Sequence, residues 1–385
     1  MDGCGAMKQI YDLIVAGGGP AGSAAARTAA MRGMDVLILD KSPFPRYKPC
    51  GGALSLKALS MLDWLLPPPV LERKITGARV HYRELVAERH KGYEIAWLIN
   101  RSAFDQYLLE KALLTGAGAK TEKALSFKDS GELVSVQTKD GIYKSRFLVV
   151  ASGCQDALKK NIAGPERKES MGLCLVSEIE AEEERIVESL GSALDIHFGV
   201  AEGGYGWIFP HRGYYSVGIG GLSSCLPHPR QAMRRFLRDN GFSEEARLSG
   251  HLIPQGGNRR RVARGRVLLA GDAAGFVDPF TGEGIYYALA SGRMAGEMVG
   301  DMPAAILARS YESRIEKKLG RDLRYALFFS RIMHSHPGIF LRTLAREEKV
   351  LERYLEVGAG RMSYRDFMLW LLPRLPLSLL KGEWV

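Results

Sequence analysis

No run of about eighteen apolar residues occurs in this chain of 385, so no membrane-spanning helix is expected and any membrane contact is peripheral. Cysteine is scarce. The five (Cys4, Cys50, Cys154, Cys174, Cys225) are odd in number, scattered, and form no C-x-x-C pair. That pattern indicates neither a disulfide framework nor a metal site, so reduced, intracellular thiols and no metal are expected. A charged-then-apolar signal pattern is missing too, and residues 1–9 read as an untidy leader with Met7 as a second start. There is no internal repeat, low-complexity tract or clear interdomain linker. No basic stretch is interleaved with aromatics, and Arg259-Arg260-Arg261 is too short to serve, so nucleic acid is not an expected partner. The net charge of +10 reads either as that of a soluble basic enzyme or as attraction to phosphates or an anionic membrane surface. With 46% apolar and 25% charged residues, the composition is that of a globular enzyme with two or three subdomains.

What the chain does have is concentrated at Tyr11–Gly22. Leu13–Ala16 predicts a buried strand, Gly17, Gly19 and Gly22 a tight turn, and Pro20 to Arg32 an alanine-rich helix. The glycines have the G-x-G-x-x-G spacing of a dinucleotide fingerprint. Gly17 permits the turn, Gly19 lets backbone approach a pyrophosphate, and Gly22 lets helix pack on strand. The helix start, with Pro20 and Ala21, offers free N–H groups to phosphate. A second strand, Val36–Leu39, ends in Asp40, about 20 residues on, where a carboxylate accepts ribose hydroxyls.

Lys41 to Ser55 carries three prolines and predicts an irregular loop, with Arg46 and Lys48 facing phosphate or flavin oxygens. Residues 56–66 read as a helix stopped by Pro67-Pro68-Pro69, and Ile75–Ile99 as strands of a second sheet. Asn100 caps a helix whose first residue, Arg101, can reach a cofactor. Residues 170–222 read as mostly strand. Within them Tyr205, Trp207 and Phe209 alternate, which puts three rings on one face, and the neighbouring glycines thin the sheet for something else to approach. Val267–Ala270 predicts a strand running into Gly271-Asp272, where Asp272 can bind a ribose or ribitol hydroxyl. A glycine-rich loop then enters a helix near Gly284. Residues 301–385 read as helical and basic, and the apolar stretch Phe367–Leu380 suits a helix packed in the domain or lying on a bilayer.

Several of these motifs together resemble the FAD-dependent geranylgeranyl reductase family, among flavoproteins of the para-hydroxybenzoate hydroxylase fold. They are Gly17–Gly22 with Asp40, the loop Phe44–Ser55 with Lys48-x-Cys50-Gly51-Gly52, and Arg101 with Phe104-Asp105. Tyr205-x-Trp207-x-Phe209-Pro210, Gly271–Gly275 and Asp278–Gly284 complete the set. Two positions depart from the family pattern: Glu202 stands where a proline usually precedes the aromatic motif, and Ser152-Gly153-Cys154 replaces an Asp-Gly.

The resemblance implies an α/β fold: a Rossmann-type FAD-binding domain in three parts (7–66, 100–155, 259–300), an inserted mixed or antiparallel-sheet substrate domain (67–99, 156–258) and a helical C-terminal region (301–385). It implies FAD held by Gly17, Gly19, Pro20, Ala21, Gly22, Asp40, Lys41, Arg46, Cys50, Gly51, Gly52, Arg101, Asp272, Gly282 and Gly284. Tyr205, Trp207 and Phe209 would line a prenyl tunnel. The implied activity is reduction of carbon–carbon double bonds in a geranylgeranyl chain of a diphosphate, glycerophospholipid or quinone, with Cys50, Tyr205 or a water as proton source. NAD(P)H or a ferredoxin would supply electrons, in the cytoplasm at the inner face of a membrane. A flavin monooxygenase and a quinone-linked electron-transfer flavoprotein are the rival readings.

Overall fold

In the computed structural model, which describes residues 10–165, 170–300, 302–335, 338, 347–371 and 373, the Leu13–Ala16 run is the buried end of β1 (Ile10–Ala16). This strand lies within an eight-stranded sheet, parallel to β2 (Val36–Asp40) and β11 (Ile142–Val150). The parallel set continues outward to β8 (Gly118–Thr121) and β18 (Val267–Leu269). Antiparallel strands finish it: β17 (Ala263–Arg264) on β18, and β10 (Val134–Gln137) on β11 with β9 (Ser126–Asp129) beyond. Leu13, Ile14, Val15, Leu148 and Val149 are fully buried, as expected for parallel strands covered on both faces.

Helix α1 (Pro20–Ala30) follows β1 and crosses α7 (Ile285–Met298) at very short range. A Cβ built at Gly292 would stand 2.1 Å from the Ala21 carbonyl oxygen, and one at Gly296 2.4 Å from that of Ala25. Ala21, Ala25 and Ala29 form the matching face of α1, so the helices meet almost backbone to backbone. This crossing sets their N-termini, at Gly19 and Gly284, on the wall of one cavity.

The second sheet has seven strands, in the order β16 (Ser249–Pro254), β12 (Met171–Glu180), β15 (Tyr214–Leu222), β14 (Gly204–Pro210), β13 (Ala193–Phe198), β5 (Gly77–Tyr82) and β6 (Leu85–His90). Every pairing is antiparallel except β13 with β5. The strands expected in Ile75–Ile99 do not form one sheet. A separate three-stranded sheet takes β4 (Leu71–Ile75) and β7 (Ala96–Ile99), together with β3 (Ala53–Ser55) from the loop expected to be irregular. The chain changes sheets at Thr76-Gly77, where both N–H groups turn to the Ser192 carbonyl.

Two further expectations need correction. The helix expected over 56–66 is only α2 (Leu56–Leu59), capped by Ser55. Beyond it Asp63 pairs with Arg27, and Trp64 stacks under that guanidinium and against Tyr107 of α3 (Arg101–Leu113). A short α4 (Lys160–Ala163) precedes β12. Inside the span read as strand, Glu183-Glu184 start α5 (Glu183–Ser189), acids suited to the positive end of a helix. The basic helix α6 (Pro229–Asp239) is followed by Gly241 with φ +76°.

Helices at Ala304–Ile315, Arg321–Ser335, Glu348–Gly358 and Tyr364–Leu371 make up the described C-terminal region. Phe367, Met368 and Leu371 are buried, with Phe367 against Phe329, so this part of the apolar stretch is core; residues 374–380 lie outside the described residues, as do 1–9 with Met7. Among the described residues no helix is long and apolar enough to cross a membrane.

Gly292→Ala is expected to destabilise the FAD-loaded protein by about 1–3 kcal/mol, because the new methyl meets backbone that cannot rotate away. Gly92→Ala, with open space around it, should stay within about 0.5 kcal/mol of the parent. Equal denaturation midpoints for the two variants would contradict the crossing described.

Candidate cofactor and substrate site

A single cavity of about 830 Å³ is lined by every residue expected to bind cofactor or substrate except Gly22. Gly22 lies beneath the turn, where its Cβ would stand 1.7 Å from the Gly17 carbonyl oxygen. Gly17 has φ +106° and its N–H bonds the Leu39 carbonyl. The Gly18 N–H donates to Asp40 (2.7 Å) and the Gly18 carbonyl accepts from Ser23 (2.8 Å), so the turn is pinned by the end of β2 and the first turn of α1. At Gly19 a Cβ would meet only the Arg46 guanidinium, at 3.3 Å.

A row of charges crosses this end. Arg46 stands 3.9 Å from Asp40 and 3.6 Å from Asp105, and Arg101 forks onto Asp105 with two bonds of 3.1 Å. Asp105 is fully buried, and Arg101 also hydrogen-bonds Cys50. Lys41 lies on the same wall.

Further along, Lys48 Nζ lies 2.7 Å from His251 Nε2, which is 3.7 Å from Asp272. Burial pushes the Lys48 ammonium down. Burial would raise the Asp272 carboxyl, but the hydrogen bond from His251 and the charge of Lys48 hold it below the usual carboxylate range. His251, on β16, was not singled out from the sequence; no local signal joins it to residues 203 and 21 positions away.

The loop after Asp278 forms the next section of wall. Asp278 accepts the Phe280 and Thr281 N–H groups and the Tyr364 hydroxyl (2.8, 2.9 and 2.8 Å). Thr281 in turn accepts the Tyr205 hydroxyl on its carbonyl. Glu283, beside Gly282 and Gly284, accepts the Ser55 hydroxyl; burial, then the nearby Asp278, pushes its carboxyl up to about 7. Glu283 stood inside a recognised motif, yet its burial and its Ser55 partner were not legible there.

Tyr205, Trp207 and Phe209 share one face of β14, with neighbouring ring centroids 6.2 Å apart. Of the glycines beside them, Gly203 and Gly204 line the cavity, while a Cβ at Gly206 would stand 2.8 Å from Val200. A Cβ at Gly218, opposite Trp207, would stand 2.2 Å from the indole, so the missing side chain makes room for Trp207 itself. Likewise Gly51 lies under Phe209 and Trp207, and Gly52 under His211. His211, engaged by Glu72, lies 3.0 Å from the Gly51 carbonyl and clamps that loop.

The cradle fits an FAD. Backbone N–H groups at the start of α1 face a turn with no side chains, and a guanidinium stands over it. Ser152, where the family pattern has aspartate, lines the same cavity with a buried hydroxyl that has no partner among the described residues, as a wall meant to meet a polar ligand would. Gly19→Val is expected to leave the apoprotein's melting temperature nearly unchanged, because only a guanidinium must move, while abolishing flavin retention. A full flavin spectrum in the purified variant would sink this placement.

Known proteins agree with the cradle. Residues 12–145 match the profile of the FAD dependent oxidoreductase family. The chain is similar to a menaquinone reductase of Mycobacterium tuberculosis, 32% identical over 87% of this chain and 88% of that protein. A digeranylgeranylglycerophospholipid reductase 2 of Methanothermobacter thermautotrophicus is 30% identical over 84% and 88%. In fold it is similar to a geranylgeranyl bacteriochlorophyll reductase-like protein of Thermoplasma acidophilum, with a TM-score of 0.77, 21% identity, and 97% and 98% of the two chains covered. Kinship of this extent, over a cavity with a flavin cradle at one end and an aromatic wall at the other, means that the chain belongs to the geranylgeranyl reductase family of FAD-dependent oxidoreductases.

Proposed function

We propose that this enzyme reduces carbon–carbon double bonds in the prenyl chain of a quinone or glycerophospholipid, with an isoprenoid diphosphate as the third substrate class. The carrying observation is that one continuous cavity joins the glycine turn to the aromatic wall, with Gly282–Gly284 between them. The named relatives favour a prenyl chain already attached to its carrier. Bound FAD supplies the hydride chemistry. Gly17, Gly19, Pro20, Ala21 and Asp40 would hold its ADP half, Arg46 and Arg101 its charge, and Asp272 its ribityl region, with Gly282 and Gly284 beside the ring.

The chain's own residues supply position, dryness and a proton. Tyr205, Trp207, Phe209, Phe280 and Tyr354 give the substrate apolar walls that exclude water, which an isolated alkene needs because no carbonyl spreads its charge. The Tyr205 hydroxyl is committed to Thr281, and burial pushes its pKa far above the ordinary tyrosine value, which suits orientation of the wall. Cys50, between Arg101 and the Gly52 N–H, holds the loop against the cofactor. We assign the proton to Glu283, the carboxyl that is half protonated near neutrality, with Ser55 holding its other side. Electrons would come from NAD(P)H or a ferredoxin, in the cytoplasm at the inner face of the membrane that contains the lipid.

Anaerobic incubation of dithionite-reduced enzyme with geranylgeranyl lipids should give products heavier by about 2 Da for each saturated bond, read by mass spectrometry. Unchanged lipid masses with the flavin still reduced would end this reading and bring oxygen and quinones forward as acceptors. Lipid-dependent flavin reoxidation should slow as pH rises through about 7, because the Glu283 carboxyl must be protonated to donate. Glu283→Gln should lower that rate about 100-fold or more and remove the inflection. A variant that keeps the parent's pH profile would acquit Glu283.

A further inference from the structure

The far side of the seven-stranded sheet carries a group of side chains that the flavin chemistry does not use. Asp195 and His197 alternate on β13, and His81 is the register partner of His197 on the parallel strand β5. Leu194 and Ile196, the intervening residues, line the cavity, so Asp195, His197 and His81 face the opposite way. There they meet α6, where Phe236 stands edge-on to His197 with centroids 5.0 Å apart. The two imidazoles lie parallel, 3° between planes and 4.1 Å between centroids. Their Nε2 atoms converge on the two oxygens of one carboxylate, at 2.7 Å for His81 and 3.1 Å for His197.

We propose that His81, Asp195 and His197 form a binding site for a divalent first-row transition cation of the Zn²⁺ class, separate from the flavin cavity. One ligand atom from each residue already lies within 4.8 Å of the others. Bonds of about 2.0–2.1 Å in a tetrahedral site put ligand atoms roughly 3.3 Å apart, so an entering ion must open the 2.7 Å His81–Asp195 contact and splay the stacked imidazoles until both ring planes contain it. Two imidazoles and one carboxylate suit a borderline cation better than Mg²⁺ or Ca²⁺, which prefer all-oxygen sites. On binding the ion each imidazole moves from the tautomer that donates Nε2–H to Asp195 to the one protonated on Nδ1, which frees Nε2 as a ligand, and the carboxylate supplies the negative charge. Asp195 and His197 are buried, whereas His81 is partly exposed and gives the ion a route in. The neighbouring cation, Arg79, is held by Glu88 at 2.6 Å.

The site's effect follows from where it sits. β13 with β5 is the one parallel pairing of the seven-stranded sheet and joins segments 114 residues apart in the chain. A cation shared by both strands ties that junction from the back of the wall whose front meets the substrate.

The test uses full-length, FAD-loaded protein stripped with a chelator and titrated with Zn²⁺, followed by metal analysis and thermal unfolding, with Co²⁺ as a spectroscopic probe. One equivalent of Zn²⁺ should bind and raise the melting temperature, and Co²⁺ should give the visible bands of a four-coordinate site. His81→Gln, at the exposed edge, and Asp195→Asn, of the same shape, should each lose the stoichiometric metal, the bands and the thermal shift. Their flavin content serves as the check on folding. Failure of the parent to bind one equivalent would overturn the proposal. Undiminished binding by a His81→Gln protein that retains its flavin would also overturn it, since the metal would then lie elsewhere, for example at the cavity cysteines.

Discussion

The close passage of α1 between the glycine turn and α7 is the constraint on which the rest of this structure depends. On one side Gly22 lets the helix touch the turn; on the other Gly292 and Gly296 let α7 touch α1. Almost no side-chain volume separates three pieces of backbone drawn from residues 17–30 and 285–298. Such packing has little tolerance, because carbonyl groups cannot change rotamer as side chains do. What it secures is a fixed relation between two helix N-termini, and therefore a fixed place for charge and for a flat ring system.

From that fixed end the cavity is built outward by loops that each rest on the next. The loop carrying Lys48 to Gly52 is bonded to Arg101 at one point, clamped by His211 at another, and lies against Trp207 and Phe209. The loop from Asp278 to Gly284 is gathered by one buried carboxylate and hands its Thr281 carbonyl to Tyr205. The wall beside the glycine turn and the aromatic wall are therefore built from the same pieces of chain. A change that shifts one of them shifts the other, which is the physical content of coupling between two binding events.

The parts legible in sequence were those governed by local rules. The β1–turn–α1–β2 unit was readable because strand periodicity, glycine spacing and a terminal acid all act within about thirty residues. The shared face of Tyr205, Trp207 and Phe209 followed from the two-residue period of a strand. Failures came where distant partners decide. Residues 60–66 leave the helix to serve Arg27 and Tyr107, and β4 and β7 leave the larger sheet at a hinge that only Ser192 explains. Gly218, opposite Trp207 on the next strand, makes room for the indole, a role visible only once the sheet register is known. His251 and the Glu283–Ser55 pair depend on contacts across about two hundred residues, and the one-dimensional pattern carries no trace of them.

The sheet order has a consequence for how the protein is made. β1 is flanked by β11, and Gly17 rests on Ala151 and Ser152, so the dinucleotide turn has no floor until β11 and the residues after it have been synthesised. α1 then lacks its cover until α7 emerges, near residue 298. β1 and its turn are thus completed only by elements far behind them in the chain, and long-range parallel pairing of this kind is slow to form. Flavin capture belongs to the closing stage of synthesis, and a ribosome-bound fragment ending before α7 would present a bare apolar helix face to the cell.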